Sequence, residues 1–188
     1  VYSGGNTPTY AYTVTIQYTT DFDAPTGTLT QTPTGATNGN VTLNLTSIAD
    51  TGGSGYYRTK LPNGTYVTTT TASEVVTSNG TYSFVVYDNA GNSTTKTITV
   101  SNIDKTLPTG EISQTPTGAT NGDVTLNLTS IADTGGSGYY RTKLPNGTFV
   151  TTTSASEVVT SNGTYNFVIY DNAGNSTTKS ITVSNIDK

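Results

Sequence analysis

The amino-acid sequence predicts an all-β fold composed of tandem β-sandwich domains with Greek-key topology. The composition is poor in hydrophobic residues, 31 %, and in charged residues, 11 %. Thr, Tyr, Gly, Asn and Ser are abundant instead, and they are typical of half-buried strands and of the turns between strands. The chain also repeats itself, and each copy consists of short alternating runs separated by turn signals. Long helices are therefore not expected.

The repeat determines the predicted domain organisation. Gly27–Lys105 returns as Gly110–Lys188 with nine differences, which gives a period of 83 residues. Asp21 precedes a shared Pro-Thr-Gly sequence as Asp104 does, and the alternation before Asp21 resembles the end of a repeat. The chain is therefore expected to be a piece of a longer array. Its expected parts are the C-terminal strand of a preceding domain with a linker, a first repeat and a second repeat, spanning residues 1–23, 24–105 and 106–188.

Each repeat is expected to contain about seven strands. In the first copy Val41–Leu45 alternates strictly, which places its three apolar side chains on one face. Asn63-Gly64 lies between two such runs and supplies the positive φ that tight hairpins need. Seven strands are the number expected of an immunoglobulin-like sandwich. The expected strands of the first repeat are residues 28–32, 41–45, 56–61, 65–70, 73–77, 81–87 and 94–101.

A tyrosine near the start of the sixth run adds a more specific signal. Tyr82 lies two residues before Phe84, which alternation assigns to the core. This spacing matches a tyrosine corner, in which the Tyr hydroxyl bonds to the backbone a few residues upstream. An ordinary Tyr in an alternating strand would have the same local sequence. The two alternatives differ in whether the Tyr82 hydroxyl bonds to the backbone upstream.

The closing part of each repeat resembles a known family. Residues 80–92, 98–109 and the Gly-rich loop 50–55 are similar to bacterial immunoglobulin-like (Big-type) tandem repeats of large cell-surface proteins. The resemblance covers nearly the whole chain. It implies stalk or spacer modules of adhesins, S-layer-type proteins or large secreted hydrolases, located outside the bacterial cell, and it implies no defined activity.

Charge and composition argue against several functions. The net charge is −4 with only eight Lys and Arg residues, whereas nucleic-acid binding needs clustered cations, so no nucleic-acid partner is expected. No apolar run approaches the ~20 residues that span a bilayer, so no membrane span is expected. The chain has no Cys and no His, which removes the thiol nucleophile, the commonest general base and the commonest metal ligand. We therefore expect that the chain is not an enzyme.

Six aspartates recur at matching places, in the linkers and in two loops of each repeat. In an immunoglobulin-like sandwich the first strand begins at the end that carries the second-to-third and sixth-to-seventh strand loops. Three carboxylates are therefore expected to converge at each junction, where oxygen-rich loops suit Ca²⁺. Calcium is the only cofactor that the sequence suggests. The predicted interdomain metal ligands are Asp21, Asp50, Asp88, Asp104, Asp133 and Asp171.

The same aspartates have a purely structural alternative. An Asp followed by Gly or Asn can accept hydrogen bonds from the next backbone amides in an Asx turn. No loop of this chain shows the regular oxygen-ligand spacing of a dedicated calcium loop. The sequence leaves both alternatives open.

A pair of adjacent tyrosines, Tyr56 and Tyr57, recurs as Tyr139 and Tyr140. Adjacent strand residues face opposite ways, so one Tyr of each pair is expected in the core and the other outside. The outer pair, Tyr57 and Tyr140, is a candidate platform for a sugar ring, and structural packing is the alternative. No pair of nearby carboxylates indicates a glycosidase.

These observations predict a spacer. The expected partners are neighbouring repeats of the same chain, with cell-surface glycan or other copies of the surface protein as further candidates. The repeats are expected to project a distal functional domain from an extracellular bacterial surface protein of the adhesin or S-layer type. The alternatives are a binding module for carbohydrate or host protein, and accessory domains of a large secreted hydrolase.

Overall fold

The computed structural model describes residues 20–188, which form fourteen strands, seven in each repeat. The first seven strands are β1 (Thr26–Thr32), β2 (Val41–Ala49), β3 (Tyr56–Lys60), β4 (Tyr66–Val67), β5 (Ala72–Val76), β6 (Gly80–Asp88) and β7 (Ser93–Val100). The second seven are β8 (Thr109–Thr115), β9 (Val124–Ala132), β10 (Tyr139–Lys143), β11 (Phe149–Val150), β12 (Ala155–Val159), β13 (Gly163–Asp171) and β14 (Ser176–Val183). The strand predicted within residues 1–23 lies outside the described residues, apart from the linker 20–23. From Thr20 onward the chain contains no helix long and apolar enough to cross a membrane.

Each repeat is a β-sandwich of two antiparallel sheets. In the first repeat the three-stranded sheet has the order β1-β2-β5 and the four-stranded sheet has the order β4-β3-β6-β7. The second repeat has the same arrangement, β8-β9-β12 and β11-β10-β13-β14. The chain passes from one sheet to the other three times, between β2 and β3, between β4 and β5 and between β5 and β6, as in an immunoglobulin-like Greek key. The predicted all-β tandem sandwich is therefore confirmed.

The core of each sandwich lies where the alternation predicts it. Val41, Leu43 and Leu45 of β2 have no exposed surface, and neither does Phe84 of β6. They come from opposite sheets and pack in one cluster, which the equivalent residues repeat in the second sandwich. Full burial of each such side chain contributes about 1.5–3 kcal/mol to folding. The period-two alternation thus determines which face of each sheet is buried.

The tyrosine corner is present in both repeats. The Tyr82 hydroxyl donates to the carbonyl oxygen of Ser78 at 2.8 Å, and the Tyr165 hydroxyl donates to that of Ser161 at 2.7 Å. Each bond reaches four residues upstream, from the start of the sixth strand to the turn that precedes it. It therefore fixes the turn between the two sheets.

The fourth strand is shorter than predicted. Alternation predicts a strand over residues 65–70, but β4 contains only Tyr66 and Val67. In both repeats the last carbonyl of the fourth strand lies against the hydroxyl of the Tyr that begins the third strand, with Val67 3.2 Å from Tyr56 and Val150 3.1 Å from Tyr139. The ladder ends at this side-chain contact after two residues.

The exit from the last strand is held by a short parallel bridge. Thr37 pairs with Ile103, with Thr37 donating to the Asn102 carbonyl and Asp104 donating to the Thr37 carbonyl, both at 2.9 Å. The second repeat has the same bridge between Thr120 and Ile186. Because this bridge fixes the backbone immediately before the linker, it sets the position of Asp104 at the end of the sandwich.

Candidate functional site: the junction between repeats

The junction brings the linker together with two loops of the following repeat. The linker contributes Asp104, the loop between β9 and β10 contributes Asp133, and the last residue of β13 is Asp171. One carboxylate oxygen from each lies within 4.8 Å of the other two. The same grouping recurs around residues 21, 50 and 88 at the start of the first repeat. The structure thus places all six predicted aspartates in the two groups that the topology suggests.

Asp104 connects the linker to the following sandwich. Its two carboxylate oxygens accept hydrogen bonds from the backbone amide of Ser137 at 2.7 Å and from that of Thr106 at 2.9 Å. The Asn175 side-chain amide donates to the Asp104 carbonyl at 3.0 Å. Asp104 is buried, with 7 % of its surface exposed. The linker is therefore bonded to both loops that face it.

The β13–β14 turn is held by its own aspartate. Asp171 is 1 % exposed and accepts hydrogen bonds from the backbone amide and the side-chain amide of Asn175, both at 2.7 Å. Asn175 therefore bridges Asp171 and the linker carbonyl. These bonds span four residues, whereas the Asx turn that the structural alternative predicts occurs at Asp104, which accepts from the Thr106 amide two residues on.

A direct contact also joins the first sandwich to the second. The backbone amide of Asn38, in the loop after β1, donates to the carbonyl of Ala173 in the β13–β14 turn at 3.1 Å. Ala173 is buried. A Cβ atom on Gly136 would overlap the Asp104 carboxylate, so only glycine leaves room for the linker there. The junction therefore combines hydrogen bonds with close steric fit.

The linker before the first repeat has the same local bonding. Asp21 accepts hydrogen bonds from the backbone amides of Ser54 at 2.9 Å and Asp23 at 3.0 Å. Asn92 donates to the Asp21 carbonyl at 3.1 Å and to Asp88 at 2.7 Å. The arrangement around Asp104 is therefore a repeated feature of this array.

Hydrogen bonding lowers the pKa of both linker aspartates. Burial raises the pKa of Asp104, but hydrogen bonds from Ser137 and Thr106 outweigh burial and hold it below its ordinary value. At Asp21 the hydrogen bonds from Ser54, followed by that from Asp23, lower the pKa. Both linker carboxylates are therefore ionised at neutral pH.

One oxygen in each group lacks a protein partner. Asp133 accepts a hydrogen bond from the Gly138 amide at 2.7 Å through Oδ2, whereas its Oδ1 is buried and accepts none within residues 20–188. Asp50 resembles Asp133: its Oδ2 accepts from the Gly55 amide at 2.8 Å, and its Oδ1 is buried with no hydrogen-bond partner among residues 20–188. A cation or a water could satisfy such an oxygen. The calcium prediction therefore stays a prediction.

The two candidate ligand tyrosines lie away from the junction. Tyr57 is 48 % exposed and Tyr140 is 50 % exposed, both on the outer face of the four-stranded sheets. Their neighbours Tyr56 and Tyr139 pack against the cores. The expectation of one inward and one outward Tyr is therefore confirmed.

Two features of the junction and one of the outer face are not apparent from the sequence. Asn175 and Ser137 bond the linker, but nothing in the local pattern distinguishes them from the many other Asn and Ser residues. On the outer face, Arg58 lies 5.0 Å from the ring centroid of Tyr57. A bulge between Tyr56 and Arg58 produces this contact, and strict alternation cannot predict a bulge.

Comparison with known proteins identifies the family. The model of the SHIRT domain matches residues 53–111 and 136–188, which together make up more than half of the chain. The two matched segments begin at equivalent positions, one period apart, and each contains the last five strands of a repeat. The chain therefore belongs to the SHIRT domain family. The narrower resemblance to Big-type repeats stays a prediction.

The other comparisons add little about function. No curated protein matches the chain. A solved structure, described as concerning the promiscuous specificity of carbohydrate-binding modules from the β-sandwich superfamily, is 18 % identical with a TM-score of 0.36. The match covers 89 % of this chain and 86 % of that one. At this level of similarity no binding property is transferred to the present chain.

Proposed function

We propose that the chain is a run of spacer repeats that projects a functional domain away from a bacterial surface. The observation that carries the proposal is the bonded junction, in which the linker, the loop before β10 and the β13–β14 turn are joined around Asp104. A flexible tether needs no such contacts. A spacer that must hold a fixed direction does need them.

The sandwich dimensions determine how a spacer would lengthen. The nine residues of β13 span about 30 Å at roughly 3.3 Å per residue. Each added repeat would therefore extend the array by a fixed step, with bending restricted by the hydrogen bonds at Asp104 and Asn175. Near-identity of the two copies suits this role, because a spacer needs only fold and length.

The setting that we propose is extracellular, in a protein of the adhesin or S-layer type, and the role is mechanical instead of catalytic. Family membership and the tandem arrangement support a repeat module. A binding module for carbohydrate or host protein is the main alternative function. Accessory domains of a large secreted hydrolase would use the same rigid connection between repeats.

Distance measurements between spin labels test the rigidity. The chain has no Cys, so Thr95→Cys with Thr178→Cys places one label on each repeat at exposed, equivalent strand positions. Double electron–electron resonance should give one narrow distance distribution. A broad distribution extending over tens of ångströms would contradict the spacer proposal, because the junction would then be a flexible hinge.

A glycine substitution tests whether the junction contacts produce that rigidity. Gly136→Ala should broaden the distribution, because the added methyl group displaces the Asp104 carboxylate. Gly118→Ala is the matched control, since a Cβ there meets nothing within 4 Å. If both variants retain the wild-type distribution, the rigidity does not come from the Asp104 contacts.

A bound cation is a second proposal for the same junction. Three carboxylates within 4.8 Å repel one another, and the buried Oδ1 of Asp133 has no protein partner in the described part of the chain. Ca²⁺ takes six to eight oxygen ligands with loose geometry, so carboxylate and carbonyl oxygens here suit it. The ion would tighten the junction that the hydrogen bonds already define.

Calorimetry separates the cation proposal from hydrogen bonding alone. Titration of Ca²⁺ should release or absorb heat with saturation, and EDTA should lower the melting temperature of the metal-loaded chain. Asp133→Asn should weaken the binding, because it removes a charge and keeps the side-chain shape. If no binding heat is observed and EDTA leaves the melting temperature unchanged, the cation proposal is wrong. The junction is then held by its hydrogen bonds alone.

A further inference from the structure

The outer face of each four-stranded sheet carries a cluster that the spacer role does not use. In the first repeat the Arg58 guanidinium lies 4.2 Å from the ring centroid of Tyr66, 5.0 Å from that of Tyr57 and 5.6 Å from that of Tyr87. The Tyr66 and Tyr87 rings lie 6.4 Å apart and are tilted by 45°. The guanidinium is therefore surrounded by three aromatic rings.

The register of the sheet explains how the cluster forms. Arg58 pairs with Tyr87 across β3 and β6, and Lys60 pairs with Tyr66 across β3 and β4. The bulge at Tyr57 turns this extra residue towards the same outer face. Tyr57 and Tyr66 are each 48 % exposed. Both tyrosines are therefore partly open to solvent beside the cation.

Arg58 has no anionic partner in the described part of the chain. The one salt bridge found between residues 20 and 188 joins Lys188 and Asp123, and no hydrogen bond from the Arg58 guanidinium occurs there. Its Nε atom is buried without an acceptor. An arginine is normally bonded to a carboxylate or carbonyl when its Nε is buried. The terminal Nη atoms are not buried and donate no hydrogen bond within residues 20–188, so they are the donors available for an added anion.

The surrounding face is cationic and free of acid. The outward positions of β3, β4, β6 and β7, as assigned by register and exposure, carry two cations and no carboxylate, in a chain of net charge −4. The remaining positions are mainly hydroxyl-bearing. They are Thr81, Ser83, Val85, Ser93, Thr95, Thr97 and Thr99.

From this arrangement we infer that the outer face binds a sugar that carries a carboxylate. The carboxylate would accept hydrogen bonds from the Arg58 guanidinium, which suits planar two-oxygen acceptors. The sugar ring would stack its C–H face on the exposed part of Tyr57 or Tyr66. Threonine hydroxyls along the strands would bond the sugar hydroxyls. A neutral glycan would leave the guanidinium without its acceptor.

The second repeat carries the same site with one informative change. Arg141 lies 5.0 Å from the Tyr140 centroid, 4.1 Å from that of Phe149 and 5.6 Å from that of Tyr170. Its Nε is also buried and has no acceptor in the part of the chain that the structure describes. Phe149 replaces the first repeat's Tyr66, so the stacking surface is kept and one hydroxyl is lost. Successive repeats would thus present a row of weak sites on one array.

Nuclear magnetic resonance of the whole chain tests the inference directly. Arg58 and Arg141 are the only arginines, so two Nε–Hε signals report the two sites separately. The probes are α2,3-sialyllactose compared with lactose, and tetragalacturonate compared with its methyl ester, all in EDTA. We expect saturable shifts of both Nε–Hε signals with the acidic probes and none with the uncharged partners.

Substitution provides the control for charge alone. Arg58→Gln with Arg141→Gln should weaken binding by about tenfold or more, because hydrogen bonds to charged groups are the strong ones. Lys96→Gln with Lys179→Gln is the matched control, because it also removes two positive charges. These lysines lie on the opposite face of the same sheets, where Lys96 pairs with Phe84, so this variant should retain binding. Melting temperatures confirm that both double variants fold.

Several results would overturn the inference. They are unshifted arginine signals with both acidic probes, equal binding of the acid and its ester, and equal loss of binding in the lysine variant. Self-association that depends on Arg58 and Arg141 would assign the face to a second copy of the chain instead. None of these results bears on the junction, whose rigidity is measured independently.

Discussion

The interior of each sandwich and the junction between the sandwiches are buried to a similar degree by different chemistry. Phe84 has no exposed surface and Asp171 has 1 %, yet the first belongs to the apolar core cluster and the second accepts hydrogen bonds from Asn175. Apolar contacts are non-directional, whereas a buried hydrogen bond tolerates little change in geometry. The core therefore supplies stability, and the junction supplies direction.

The largest expected effect comes from the core. Phe84→Ala should lower the free energy of unfolding of the first repeat by about 3–5 kcal/mol, because it removes a buried ring and leaves a cavity. Denaturant unfolding followed by tyrosine fluorescence measures the change. Phe167→Ala should have the same effect on the second repeat. Ser83→Ala, at an exposed neighbouring position, should change stability by less than about 0.5 kcal/mol.

If Phe84→Ala lowered the free energy of unfolding by no more than Ser83→Ala does, the assignment of stability to the core would be wrong. The label-to-label distance in a folded Phe84→Leu variant should stay narrow, because the junction contacts do not involve this ring. Broadening in that variant would show that direction and stability are not separate properties.

The next effect concerns the turn that contacts the linker. Asp171→Ala should destabilise the second repeat by about 1–3 kcal/mol, because it leaves the amide groups of Asn175 without their acceptor in a buried place. It should also broaden the inter-label distance distribution, since Asn175 bonds the Asp104 carbonyl. Asp88→Ala is the matched control: it breaks the equivalent bonds of the first repeat and should leave the Asp104 junction rigid.

The tyrosine corner should have a smaller effect. Tyr82→Phe removes the hydrogen bond to the Ser78 carbonyl and keeps the ring, so the first repeat should lose about 1 kcal/mol of stability. Thermal and denaturant unfolding measure the loss, and Tyr165→Phe should reproduce it in the second repeat. Tyr66→Phe copies a natural difference between the repeats and serves as the neutral comparison. Equal effects of Tyr82→Phe and Tyr66→Phe would mean that the corner bond contributes no stability.

The sequence predicts the core more completely than it predicts either polar feature. Alternation around Val41 and Phe84 is sufficient to assign the buried faces, because a strand has a side-chain period of two. Repetition and known topology likewise place Asp104, Asp133 and Asp171 at one end. The partners Asn175 and Ser137 are not predictable, since hydrogen bonds between loops depend on backbone positions that no local pattern encodes. The bulge at Tyr57, which completes the arginine cluster, is unpredictable for the same reason.

The smallest expected effect is a loosening of the junction in acid. The pKa of Asp104 is lower in the folded chain than in the unfolded chain, so its stabilising bonds to Ser137 and Thr106 are fully present above the unfolded pKa. They are lost as the pH falls through the lowered folded pKa, below about pH 4. The inter-label distance distribution should therefore stay narrow at neutral pH and broaden in that acidic range. Asp104→Asn has no titrating group at this place, so its distribution should show a weaker dependence on pH than the wild type does. Equal pH dependence in the two proteins would mean that protonation of Asp104 does not loosen the junction.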